Sequence, residues 1–161
     1  MAWRDVCVRG RPAGGRVRQD DVPRGSRARD HDAGGPSPGI ERFIREVVVG
    51  TPALAPFKPR GFPAGLRVQT YPGRGHADVH FEGRAADVFL SFTDSKQREC
   101  GNWLFDWCVA NCRAYKIQGV IFGDRQWFSE MAGGRILPRR DGQAHYDHVH
   151  IELNGDGAAR R

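Results

Sequence analysis

Lysine is scarce in this chain: three of its 25 cationic residues are lysine and the rest are arginine. That skew reads as coding bias in a GC-rich genome as much as function. Long apolar runs are missing too. No stretch approaches the roughly 18 apolar residues of a membrane helix, so no membrane partner is expected. Met1–Arg9 lacks the apolar core of about 7–15 residues that an export signal needs. As written, the chain is therefore expected in the cytoplasm; a segment ahead of Met1 would make it extracytoplasmic. Cysteine occurs four times, at 7, 100, 108 and 112, with no CxxC pair. Cys108 and Cys112 fall one helical turn apart, where a bridge would strain disulfide geometry. Small buried thiols are the expectation, and no third cysteine stands at zinc-finger spacing.

A basic body is also lacking. The net charge of +6 sits mostly at the ends: residues 1–35 hold eight arginines and five acids, and Arg160 and Arg161 add two more cations. Residues 36–159 are nearly neutral, with fifteen Lys/Arg against fourteen Asp/Glu. A nucleic-acid reader carries its basic stripe on the folded body, so nucleic acid is not expected as a partner. At 161 residues the chain is one domain with a real core. Residues 1–37, rich in Arg, Gly and Pro and without periodicity, read as a disordered tail. Residues 38–154 read as the domain and 155–161 as a flexible tail.

Within the domain, apolar residues at 40, 43, 44, 47 and 48 share a helical face, and Gly50 is a natural stop. Leu66–Tyr71 alternates as a strand does, and Ala85–Phe92 reads as a central strand. Ser95 caps a helix expected to run to about Tyr115. Gly119–Gly123 reads as a short buried strand, 124–129 as its continuation or a turn, 131–144 as a loop and 145–153 as the last strand. Helix and strand follow no βαβ rhythm. The expected fold class is α+β, a small antiparallel sheet flanked by helices.

Three of the six histidines stand at 145, 148 and 150. On a strand, His148 and His150 share a face. A second stretch, Asp78 to Asp87, carries His80 and Asp87 with Gly83 between them. If Gly83 turns the chain, Asp87 on the next strand comes back beside His80. Together, His80, Asp87 and His150 are two imidazoles and one carboxylate, the donor set of a catalytic zinc site with an open fourth position. His148 is placed to be a general base. His145 can share that role or stabilise developing charge. Asp147 is expected on the opposite face, as a structural residue. Arg84 and Arg125 are candidates for a substrate carboxylate or for structural ion pairs. Trp127 is a cleft wall or a core residue. His76 is expected in a loop.

The pattern His80-x-x-Gly83-x-Ala85-x-Asp87, followed by His145-x-x-His148-x-His150, resembles the LAS-type zinc peptidases. That superfamily holds the lysostaphin-like endopeptidases, the D-alanyl-D-alanine peptidases and the hedgehog amino-terminal domain. The last triplet is most similar to that of the penicillin-insensitive murein endopeptidases. His80–Asp87, Trp107, the Ile121–Ser129 region and His145–Glu152 also resemble an actinobacterial domain family of that superfamily. The resemblance spans roughly residues 40–153. It implies a hedgehog/DD-peptidase-like fold and one zinc ion held by His80, Asp87 and His150. It implies that His148, with His145, does acid–base work on a metal-activated water. The substrate it implies is an amide or peptide, of peptidoglycan type or a small peptide. Where D-alanyl peptidases have a catalytic glutamate, this chain has Asp147. Where the superfamily often has serine, it has Asp78, which can support His80 or change the pocket's charge. Two other readings use the same residues. One is a non-haem iron enzyme, which shares the two-histidine, one-carboxylate set; the other is a non-catalytic, zinc-stabilised binding domain.

Overall fold

The chain is described by a computed structural model covering residues 23–27, 29, 31–73, 78–131, 133–139, 142 and 144–160. Most of the expected N-terminal tail, Cys7 and His76 lie outside these residues.

Helix α1 (Pro38–Phe43) opens on Ser37, whose side chain accepts from the Ile40 N–H, and continues as a π-helical turn, Ile44–Gly50. Ile40, Phe43, Val47 and Val48 are buried, as their spacing requires. The long helix is α2 (Ser95–Ala110), followed by the single turn α3 (Cys112–Tyr115). Its cap is Asp94 rather than Ser95: the carboxylate accepts from the Gln97 N–H at 2.9 Å. Cys100, Cys108 and Cys112 are buried, and burial pushes the Cys108 thiol well up.

Six strands form one antiparallel sheet: β1 (Val68–Gln69), β2 (Ala85–Phe89), β3 (Ile117–Phe122), β4 (Arg125–Phe128), β5 (Leu137–Pro138) and β6 (His148–Leu153), in the order β1-β2-β6-β3-β4-β5. The fold class is thus α+β. Two of the expected strands, the first and the last, are trimmed for a reason. β1 stops at Gln69, and the Thr70 carbonyl bonds the His80 ring instead of a ladder partner. β6 starts at His148 because His145 has a left-handed φ of 69°, which no extended strand accepts.

The sheet register sorts the side chains. Asp87 pairs with His150 and His150 with Ile121, which pairs with Gln126; these share one face. Ala86, Val88, Val149, Ile151, Val120 and Trp127 take the other face and are buried in the core with Leu104, Phe105 and Cys108 of α2. The helices cover that core face.

Both ends of the domain differ from the expected tails. Gly155–Ala158 forms a short helix, α4, because the Asn154 side chain caps it at the Gly157 N–H and α1 packs beside it. Ahead of α1, Ala33 N–H donates to the Phe81 carbonyl and Ser37 N–H to the Gly83 carbonyl. The described part of the N-terminal segment is thus bonded to the domain. Among the described residues no helix is long and apolar enough to cross a membrane.

Candidate metal centre

His80 sits in a turn that the sequence builds from Asp78 onward. The Asp78 carboxylate accepts the His80 backbone N–H at 2.9 Å, and the Gly83 N–H donates to the His80 carbonyl at 2.8 Å. Gly83 has φ 66°, and a Cβ there would lie 2.2 Å from the Gly35 carbonyl oxygen; the turn therefore needs glycine. Asp78 supports His80 through its backbone, whereas the ring is held elsewhere. His80 Nδ1–H donates to the Thr70 carbonyl at 2.7 Å, which turns Nε2 toward Asp87 and His150. Gly73 completes the seat: a side chain on it would meet the His80 Cβ at 2.4 Å.

The turn delivers His80 Nε2 to the pair already fixed by sheet register. His80 Nε2 is 3.2 Å from Asp87 Oδ1 and 3.3 Å from His150 Nδ1, and His150 Nδ1 is 2.8 Å from Asp87 Oδ1. A tetrahedral ion with bonds of 2.0–2.1 Å separates neighbouring donors by about 3.3 Å. Two imidazole nitrogens and a carboxylate oxygen at these spacings fit such an ion. His80, Asp87 and His150 are a group that can hold a metal.

His150 has a second partner. Its Nε2 lies 3.1 Å from Glu152 Oε1, and Glu152 Oε2 accepts from Gln118 Nε2 at 2.9 Å. Burial alone would lower the His150 value. The bonds to Asp87 and Glu152 outweigh it and raise His150 to about 9. Burial likewise works to raise Asp87, but hydrogen bonds from His150 and His80 hold its carboxyl far below the usual range. Glu152 is lowered in the same way: His150 and Gln118 overcome its burial.

His148 shares the face, with Nε2 3.5 Å from Asp87 Oδ1 and Nδ1 2.7 Å from the Asp147 carboxylate. Asp147 stands just ahead of β6, exposed, and orients His148. His145 lies with ring centroids 4.7 Å from His148 and 5.5 Å from His150. Its Nδ1 meets the Arg139 guanidinium, which can only donate, so the ring proton sits on Nε2. Burial first, then the charges of His150 and Arg139, lower His145 to about 4. A cleft of about 560 Å³ opens beside these groups, lined by His145, His150, Glu152, Ile121, Phe128 and Arg27 among others.

The three residues expected at a substrate are placed elsewhere. Arg84 is 4% exposed; its guanidinium binds Glu82 and the carbonyls of Leu153 and Ser26. Arg125 pairs with Asp106 at 3.1 Å and Asn102 at 2.8 Å and lies over the Phe105 ring. Trp127 is fully buried, donating Nε1–H to the Gly134 carbonyl at 2.9 Å. Arg125 and Trp127 flank Gln126 on β4, and Gln126 shares the face of His150, so both project to the helix side. Glu152 has the opposite history. It stands two residues after His150 on one strand, so the period of two would have found it. Gln118, Thr70 and Arg139 carry no such signal; they reach the site only through the fold.

No curated protein matches this chain, and no solved structure does. The family described as VldE, C-terminal domain, matches residues 57–150, a stretch that contains His80 and Asp87 and ends on His150. Because that match spans more than half of the 161 residues, the chain belongs to the VldE C-terminal domain family.

Proposed function

We propose that this chain is a zinc-dependent hydrolase of LAS type that cleaves an amide or peptide bond. The observation that supports it most is the triangle of His80 Nε2, Asp87 Oδ1 and His150 Nδ1, with sides of 2.8–3.3 Å, beside His148 and beside His145, which lines an open cleft. Bound there, zinc supplies Lewis acidity toward a carbonyl oxygen and a water. The chain's own residues supply the rest. His148, held at Nδ1 by Asp147, presents Nε2 as the atom that takes a proton and returns it to a leaving amine. His145 stays neutral through the physiological range and carries its proton on Nε2. That N–H suits a developing oxyanion better than general-base work. Ile121 and Phe128 give the cleft an apolar wall, and Arg27 is its cation for a substrate carboxylate.

Metal analysis and two variants test this reading. Protein purified without added metal is expected to hold one zinc per chain; one iron with little zinc would select the oxygenase reading instead. His150→Ala is expected to lose the metal. His148→Ala is expected to keep metal and fold while turnover of short peptide amides falls roughly 10²–10⁴-fold. Unchanged turnover in His148→Ala would remove that residue from the mechanism.

A further inference from the structure

A run of polar contacts leaves the metal ligands and ends in the segment ahead of the domain. His150 Nε2 meets Glu152 Oε1 at 3.1 Å, and Glu152 Oε2 takes a hydrogen bond from Gln118 Nε2 at 2.9 Å. Gln118 then meets Ser26 three times. The Ser26 N–H and Oγ–H donate to Gln118 Oε1 at 2.8 and 3.2 Å, and Gln118 Nε2 donates to the Ser26 carbonyl at 2.9 Å.

These contacts use the whole capacity of the Gln118 amide, two donors and two acceptor sites. They also fix which way it points. A flipped amide would set NH2 against the Ser26 N–H and oxygen against both the Glu152 carboxylate and the Ser26 carbonyl. Gln118 and Glu152 are buried or nearly so, where an unmet polar group is expensive. The segment is tied down on both sides of Ser26: Asn154 Nδ2 donates to the Arg24 carbonyl at 2.9 Å, and Arg84 donates to the Ser26 carbonyl at 3.2 Å.

We propose that the segment ahead of α1 is a working part of the metal centre. Ser26 locks Gln118, Gln118 holds Glu152, and Glu152 fixes the His150 ring so that Nδ1 faces Asp87 and His80. Ser26, Gln118 and Glu152 are positioning residues; none touches the reacting atoms. This inference rests on the metal reading. Gln118 falls inside the family match at 57–150, and Ser26 and Glu152 lie outside it.

The test is metal affinity in the full chain, by competition of Zn²⁺ and Co²⁺ with a chromophoric chelator, together with the visible spectrum of the Co²⁺ form. Gln118→Ala is expected to raise the metal Kd about 10–100-fold, the usual effect of losing an outer-shell partner. Ser26→Pro, which removes the N–H, is expected to raise it about tenfold. Because both act on one side chain, the double variant is expected to match Gln118→Ala alone. Both variants are expected to shift the Co²⁺ bands, as a reoriented ligand would. Ser26→Ala keeps the backbone contacts and serves if Gln118→Ala fails to fold; its Kd is expected to rise less than that of Ser26→Pro. If Ser26→Pro and Gln118→Ala bind as the unaltered chain does, while Asp87→Ala abolishes binding, the relay is wrong and the metal reading stands. Fully additive losses would also overturn the relay. An unaltered chain that binds neither ion overturns both.

Discussion

His145 carries the clearest local strain in the site, a φ of 69° on a residue with a Cβ. Such conformations persist where the surroundings over-determine them. Here Gly123 N–H donates to the His145 carbonyl at 2.8 Å, and Arg139 holds the ring. Asparagine tolerates the left-handed region better than most residues. His145→Asn is therefore expected to leave thermal stability within about 1 kcal/mol. If the imidazole serves the oxyanion, kcat should fall about 10²–10³-fold with little change in KM. Steady-state kinetics beside a melting curve would check this, and an unchanged kcat would take His145 out of the chemistry. The histidines of the last motif could be sorted only in part from sequence. Parity put His148 and His150 on one face. It could not say that Asp147 turns back to His148 or that Arg139 selects the His145 tautomer, because both contacts come from irregular backbone.

At the scale of elements, β4 shows how alternation assigns roles. Arg125 read as a substrate cation or a structural ion pair and Trp127 as a cleft wall or a core residue, and periodicity alone cannot say which face of a strand looks inward. The hairpin register decides it, since Gln126 pairs with Ile121, and Ile121 with His150. Arg125→Ala is accordingly expected to leave KM unchanged and to cost under about 1 kcal/mol, as partly exposed ion pairs do. Trp127→Phe, losing the bond to Gly134 and some packing, is expected to cost about 1–2 kcal/mol with turnover per folded molecule intact. A tenfold rise in KM for Arg125→Ala would return it to the substrate site. Helix α2 and the central strands β2, β3 and β6 were legible because their apolar periods are long and clean. Strand β1 was over-read because the carbonyl just past its end, that of Thr70, serves His80, a contact from outside the strand.

The whole molecule ties stability and metal affinity to pH in opposite directions. In metal-stripped protein His150 lies at about 9, above its unfolded value near 6.5. Its bonds to Asp87 and Glu152 thus stabilise the fold fully below about pH 6.5, and this contribution is lost as pH rises through about 9. Asp87 and Glu152 are lowered, so their contribution is present above the ordinary carboxylate range and is lost in acid. The melting temperature of stripped protein is expected to peak near pH 6.5: below it His145, lowered to about 4, costs stability as the unfolded chain takes up its proton, and above it the His150 contribution fades toward pH 9.5. Metal must displace the His150 proton, so its affinity is expected to rise about tenfold per pH unit over the same alkaline climb, with about one proton released. Calorimetry in buffers of differing ionisation enthalpy measures that proton; no release at pH 7.5 would sink the linkage.

By itself the sequence determined the α+β class, the long helix, the central strands, and the three residues His80, Asp87 and His150 as a possible metal set. Those features rest on local periods and on the chemistry of side chains, both of which survive without knowledge of the fold. Tertiary structure decided which partners complete the site. Thr70 orients His80, Glu152 and Gln118 orient His150, and a segment read as tail supplies Ser26 to Gln118 across 92 residues. It also took Arg84, Arg125 and Trp127 away from the cleft. The reason is physical. A hydrogen bond between residues distant in the chain is set by sheet register and by which face is buried, and neither leaves a mark on the residues immediately beside it.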